Sequence, residues 1–268
     1  MAILDLQKAT SPLNRVESIF QRCVNCGQRI NETIALSPET REHYFVFFGG
    51  LLRIGQLLAN VHFLELETLR VSKERAVLTH ARMERVFAGK KPGDISNRQM
   101  TAEEMQESEL VSRLSVEMQS HIESILLFLD ILGDQIAVML SHCFPGSKDS
   151  VVRTLDHLQD RKTCARFFKV RKLIGLELVL DSAAKIDSSF RNQLVVHNTE
   201  PKYSLSPQGL DDPHLIVSVF GGVSTERDEK FLTNPSIGVV SSFERHCELL
   251  LAFYEVLERN LDRFRMVV

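Results

Sequence analysis

Apolar residues recur three and four positions apart along most of this chain, and Pro- and Gly-bearing points interrupt the recurrence. Ser11-Pro12 reads as an N-cap followed by proline at the first helical position. Val16, Ile19, Phe20, Cys23, Ile30 and Ile34 carry that helix to about Leu36. Ser37-Pro38-Glu39 repeats the start signal. From Tyr44 through Leu51, Ile54, Leu58 and Val61 to Val86-Phe87 the pattern runs about fifty residues, well past the usual 8–20. Gly49-Gly50 is a candidate kink in it, and the charge-rich stretch Glu65 to Arg85 a candidate segment of its own. Gly89-Lys90-Lys91-Pro92-Gly93-Asp94 is a loop. Thr101-Ala102-Glu103-Glu104 is a capping box. It opens a second long helix that reaches about Cys143, before Phe144-Pro145-Gly146.

The later half of this second helix is strongly apolar, from Ile122 and Ile125 through Leu129, Leu132 and Ile136 to Leu140. Asp130 and Asp134 stand one turn apart on one of its faces. They belong either to a narrow exposed side, the preferred reading, or to a buried polar cleft. Residues 149–160 predict a short helix. Leu173, Leu176, Leu180, Ala183, Phe190, Leu194 and His197 then share one face of a single long helix. Thr199-Glu200-Pro201 closes it, since proline cannot continue a helix. Residues 199–235 are richer in Pro, Gly and Asp. Leu215 to Phe220 reads as a strand, with Tyr203 to Leu205 or Lys230 to Leu232 as its partner. From about Pro235 the chain returns to helix, with Phe243, Leu249, Leu250, Phe253, Leu257 and Phe264 on its apolar side. The pattern predicts an all-α fold: a bundle of long antiparallel helices in one domain, with a small β-hairpin or strand insertion near residues 203–233.

Composition narrows the class. The 268 residues are 44% hydrophobic, with 13 Gly, 8 Pro and no Trp, which fits a globular helical protein with a substantial core. The net charge is −3 and the isoelectric point about 6.3, so any contact with nucleic acid has to be local. The densest basic run is Arg161-Lys162, Arg166, Lys169 and Arg171-Lys172, around Phe167-Phe168. A solvated helix face is its first reading, an RNA-binding patch through Arg161, Lys162, Arg166 and Lys169 its second. The start, Met1-Ala2-Ile3-Leu4-Asp5, lacks the basic and apolar regions of a signal peptide. The five cysteines are therefore expected to be reduced and the protein cytoplasmic. No window reaches the ~18 uninterrupted apolar residues of a membrane span, because Asp130 and Asp134 cut the best one.

One stretch carries candidate chemistry: Phe190-Arg191-Asn192-Gln193-Leu194-Val195-Val196-His197-Asn198. His197 falls in or just past the last turn of its expected helix, where the helix dipole favours the imidazolium. An arginine near such a histidine can bind a phosphate while the histidine moves a proton beside it. On the helix Arg191 points about a third of a turn away from His197, so its long side chain has to fold round, or the last turn has to open. A satisfied core histidine is the plainer reading of His197. Arg191, Asn192 and His197 resemble the Arg-polar-x(n)-His motif of the HEPN superfamily, small all-α proteins that include ribonucleases of toxin–antitoxin and phage-defence systems. Arg75-Ala76-Val77-Leu78-Thr79-His80 fits the loose spacing as well, but has alanine where the polar residue belongs. The resemblance implies a HEPN-like core over roughly 101–265, with the N-terminal helices of 11–88 packed on it. It implies RNA cleavage by 2′-hydroxyl attack, without metal or cofactor, at a cleft between two protomers. It also brings an antitoxin or other regulatory protein as a partner. His197 would act as general acid or base, Arg191 would stabilise charge on the phosphate, Asn192 would position either, and Asp130 or Asp134 would support them.

Other chemistry finds little footing. Cys23-Val24-Asn25-Cys26 is half of a zinc site and lacks a second pair. There is no Gly-rich phosphate loop, no His-Glu-x-x-His and no Gly-x-Ser-x-Gly. The rival to a ribonuclease is a non-catalytic helical module that binds a partner protein, and the acidic isoelectric point favours it.

Overall fold

A computed structural model describes residues 19, 21–22, 24–29, 32, 38–88, 99–144, 146–147, 151–169, 172–186, 202–207, 215–220 and 239–261. They are mainly α-helical. After helical positions within 19–32 come α1 (Pro38–Phe87), α2 (Ala102–Cys143), α3 (Leu155–Gln159), α4 (Arg161–Phe168), α5 (Leu176–Ala184) and α6 (Val239–Arg259). Between α5 and α6 the backbone of β1 (Lys202–Pro207) pairs antiparallel with β2 (Leu215–Phe220), Lys202 opposite Phe220 and Pro207 opposite Leu215.

The two long helices form an antiparallel hairpin. Gly50 lies against Met139, Arg70 reaches Glu117, Arg75 reaches Ser115 and Arg85 reaches Glu107, so partner numbers fall as α1 advances. Their seam follows a heptad. Met118, Ile122, Ile125, Leu129, Leu132, Ile136, Met139 and Cys143 are buried on α2 at alternating steps of four and three, facing Leu51, Ile54, Leu58 and Val61 on α1. Each of these leucines and isoleucines contributes roughly 1.5–3 kcal/mol by leaving water. At 50 residues α1 is about 75 Å long. It runs as one continuous helix through Gly49-Gly50, with no separate segment after Glu65. Gly50 lies under the Met139 side chain of α2, whose sulfur would have to shift to admit a Cβ there.

Toward the tip the seam turns polar. Thr68 and Ser72 are buried in it, and the Thr68 hydroxyl donates to the Leu64 carbonyl at 2.6 Å. His62 is buried with no hydrogen-bond partner among the described residues, 4.0 Å from the Glu65 carboxylate. Burial lowers its pKa and so favours the neutral imidazole. Past Ser72 on α1, and before Leu114 on α2, none of the described residues is buried. Among the described residues, the outer part of the hairpin is thus an arm two helices wide. The capping box closes the start of α2: Thr101 Oγ1 accepts from the Glu104 amide at 3.2 Å, and the Glu104 carboxylate accepts from the Thr101 amide at 2.8 Å.

The inner half of α2 packs against α6 and α3, and α6 packs against α5. Leu249, Leu250, Phe253, Tyr254, Val256 and Leu257 are all buried, so α6 sets one broad apolar face, close to half of its circumference, into the core. Arg22 and Arg29 approach Glu258 at 3.6 and 3.9 Å and tie the N-terminal helical positions to it. Among the described residues one helix, α2, is long and apolar enough to cross a membrane by length and composition. Half of its most apolar window is buried inside the protein.

Candidate functional site

Arg191, Asn192 and His197 lie outside the described residues. The elements leading toward them are described, and they correct one expectation. The single helix expected from Leu173 to His197 is not continuous: α5 begins at Leu176 and ends at Ala184. At its start, Gly175 takes φ +83, a left-handed conformation that breaks helical geometry between Leu173 and Leu176. At its end, side chains from two other elements take the terminal carbonyls. Gln159 Nε2 donates to Ala183 O at 3.1 Å and Ile186 O at 2.8 Å, and Arg245 donates to Lys185 O at 2.8 Å. Carbonyls satisfied in this way need no following turn of helix.

The expected carboxylate pair on α2 is half-buried. Asp134 Oδ1 accepts the Leu155 amide at 2.8 Å, at the first position of α3. It fastens the short helices to the long one, a use that the exposed reading did not anticipate. Asp134→Ala is expected to cost about 1–3 kcal/mol in urea unfolding, because the Leu155 amide loses its acceptor. Asp134→Asn keeps an oxygen there and should recover most of that loss; equal stability of native, Asn and Ala proteins would contradict the role.

Helix α4 carries the basic run. Asp160 caps it, accepting from the Lys162 amide at 3.0 Å and the Thr163 hydroxyl at 2.6 Å. The Thr163 hydroxyl, with backbone donors, holds the Asp160 carboxyl below its usual range. Cys164, Phe167 and Phe168 are buried, while Lys162, Arg166 and Lys169 are exposed. Arg161 differs from the other three: it donates to Glu177 at 3.0 Å and also pairs with Asp181, both on α5. Beyond α4 lies a shallow cavity of about 270 Å³, walled by Phe168, Lys169, Lys172, Leu173 and Glu177.

The weaker motif match sits on the arm. Arg75 Nε donates to Ser115 Oγ at 2.8 Å, and His80 lies 3.6 Å from Glu84, half exposed. Cysteine chemistry is muted. Burial, and then the neighbouring Cys26, push the Cys143 thiol well above its usual value. The Cys164 thiol is pushed up to about 12 by burial, then by Asp160 and Glu177, and it donates to the His157 carbonyl at 3.1 Å. Cys23 lies outside the described residues, among which no group of three or more His, Cys, Asp or Glu side chains could hold a metal ion.

Sequence reasoning missed Asn260, which is fully buried. Its Oδ1 accepts the Ile174 amide at 2.9 Å, and its Nδ2 donates to the carbonyls of Ile174 at 2.9 Å and Val256 at 2.7 Å. An asparagine one turn past the apolar face of α6 was the available signal. No family model matches the chain, nor does any curated protein or solved structure.

Proposed function

We propose that the chain is a HEPN-like, metal-independent endoribonuclease, acting in the cytoplasm as a toxin or phage-defence effector. The carrying observation is the Arg191-Asn192-x-x-x-x-His197 motif in a chain whose described residues are mainly helical. The RNA 2′-hydroxyl attacks the adjacent phosphate, His197 moves the proton, and Arg191 neutralises charge growing on the non-bridging oxygens. In this reading β1 and β2 are an insertion between the motif and the final helix, and Asp130 stands as a supporting carboxylate. Incubation of purified protein with RNA, with analysis of product ends, tests it. The expected product carries a 2′,3′-cyclic phosphate; failure to cleave any RNA tried would turn the reading to its rival.

Two protomers complete the site in this proposal. Support comes from the outer side of α2, where Val116, Leu127, Ile131 and Val138 remain 36–67% exposed although the opposite side is already packed. Light scattering at micromolar concentration should give about twice the monomer mass, and a monomer there would count against both the interface and the composite site.

The second reading is a non-catalytic module that binds a partner protein such as an antitoxin. The arm favours it, since a projecting two-helix hairpin with a polar seam offers two faces to a partner.

A further inference from the structure

We propose that one edge of α4, with the turn that follows it, is a track for the phosphate backbone of single-stranded RNA, built by Lys162, Arg166 and Lys169 and continued by Lys172. The choice of RNA among polyanions rests on the ribonuclease reading. The track itself rests on geometry. Lys162, Arg166 and Lys169 stand at i, i+4 and i+7 and so line one face of the helix. The opposite face, Cys164, Phe167 and Phe168, is packed into the core and fixes which way the basic edge looks. From Lys162 to Lys169 the line is about 10 Å long, and it is one residue wide. It therefore fits one backbone, and among the described residues no element lies beside it to read bases in a groove.

The surrounding acids are already engaged. Arg161 holds Glu177 and Asp181, and Asp160 accepts from the Lys162 amide and the Thr163 hydroxyl at the start of the helix. No salt bridge joins Lys162, Arg166 or Lys169 to a carboxylate among the described residues. Arg161 thus leaves the RNA-contacting set, and its role is to screen the track from the acids of α5. At the far end the line meets the cavity walled by Lys169, Lys172 and the Arg161-paired Glu177, where Lys172 sits at φ 49 on the turn toward Gly175.

The test uses the full chain carrying His197→Ala, so that RNA stays intact, and a fluorescein-labelled oligouridylate of about twenty nucleotides. Affinity is measured between about 50 and 200 mM salt. Each phosphate neutralised on a single strand contributes about 0.7 to the slope of log affinity against log salt. Changing Lys162, Arg166 and Lys169 together to Gln should flatten the slope by about 2, and Lys172→Gln by about 0.7 more. Arg113→Gln, an exposed arginine on the arm, should leave it unchanged. An unchanged slope in the triple variant, an equal loss in Arg113→Gln, or no binding by the parent chain would each overturn the track. Cleavage by the chain with native His197 is scored separately. Slope loss in a chain that never cleaves removes the ribonuclease reading and leaves the track. Cleavage with an unchanged slope removes the track alone.

Discussion

His197→Ala and Arg191→Ala should each lower RNA cleavage by ~10²-fold or more while leaving the melting temperature near that of the native protein. The two losses have different origins. Histidine has an ordinary pKa near working pH, so it can exchange a proton during the step, and alanine cannot. Arginine stays protonated and presents a planar set of donors, so in the proposed mechanism Arg191 would meet charge that grows only as the phosphorane forms. Lysine at 191 keeps the charge but not the fork, and should recover only part of the rate. His80→Ala is the control from the weaker match: its imidazole sits half exposed on the arm beside Glu84, and cleavage should be unaffected. EDTA should have no effect, since in the proposed mechanism the nucleophile is the RNA's own hydroxyl. Cleavage that persists in the His197 variant, or that stops with EDTA, would eliminate this mechanism.

The long helices were legible because their signals are local and repeated. The capping box at Thr101 and the Pro-Gly break after Cys143 set the limits of α2 within a residue, since both act through the backbone next to them. Gly49-Gly50 shows that a glycine pair in a helix serves two purposes. It can kink a helix, or it can admit a neighbour, and here Met139 occupies the space that a Cβ would need. The stretch from Leu173 to Ala184 misled. Its apolar spacing is truly helical over α5, but what ends the helix comes from Gln159 and Arg245, distant in sequence. Of the candidate site, the basic run was visible as composition. That Arg161 differs from its three neighbours was not, because Glu177 and Asp181 reach it only once α4 and α5 pack together.

Asn260→Ala should lower stability by about 3 kcal/mol, or roughly 6–12 °C in melting temperature for a chain of this size. Asn260 is fully buried and uses both ends of its amide on one residue, taking the Ile174 N–H and donating to the Ile174 carbonyl, as a neighbouring strand would. Alanine removes both partners and leaves two backbone groups competing for whatever water can enter, at about 1–3 kcal/mol each. The Val256 carbonyl loses its extra donor as well, a smaller cost because it lies within α6. Asn260→Asp separates hydrogen bonding from size. It keeps the acceptor for the Ile174 amide, loses both donors, and turns a carboxylate toward two carbonyl oxygens. Its destabilisation should equal or exceed that of alanine. Arg259→Ala, at an exposed neighbour paired with Glu255, should change stability by no more than about 0.5 kcal/mol. The effect should extend to α5, because Ile174 precedes Gly175, whose left-handed turn starts that helix against Val256 of α6. Amide exchange over residues 174–184 should therefore quicken in Asn260→Ala more than exchange over the α1–α2 seam. A melting temperature within about 1 °C of the native protein would show that the bridge contributes nothing.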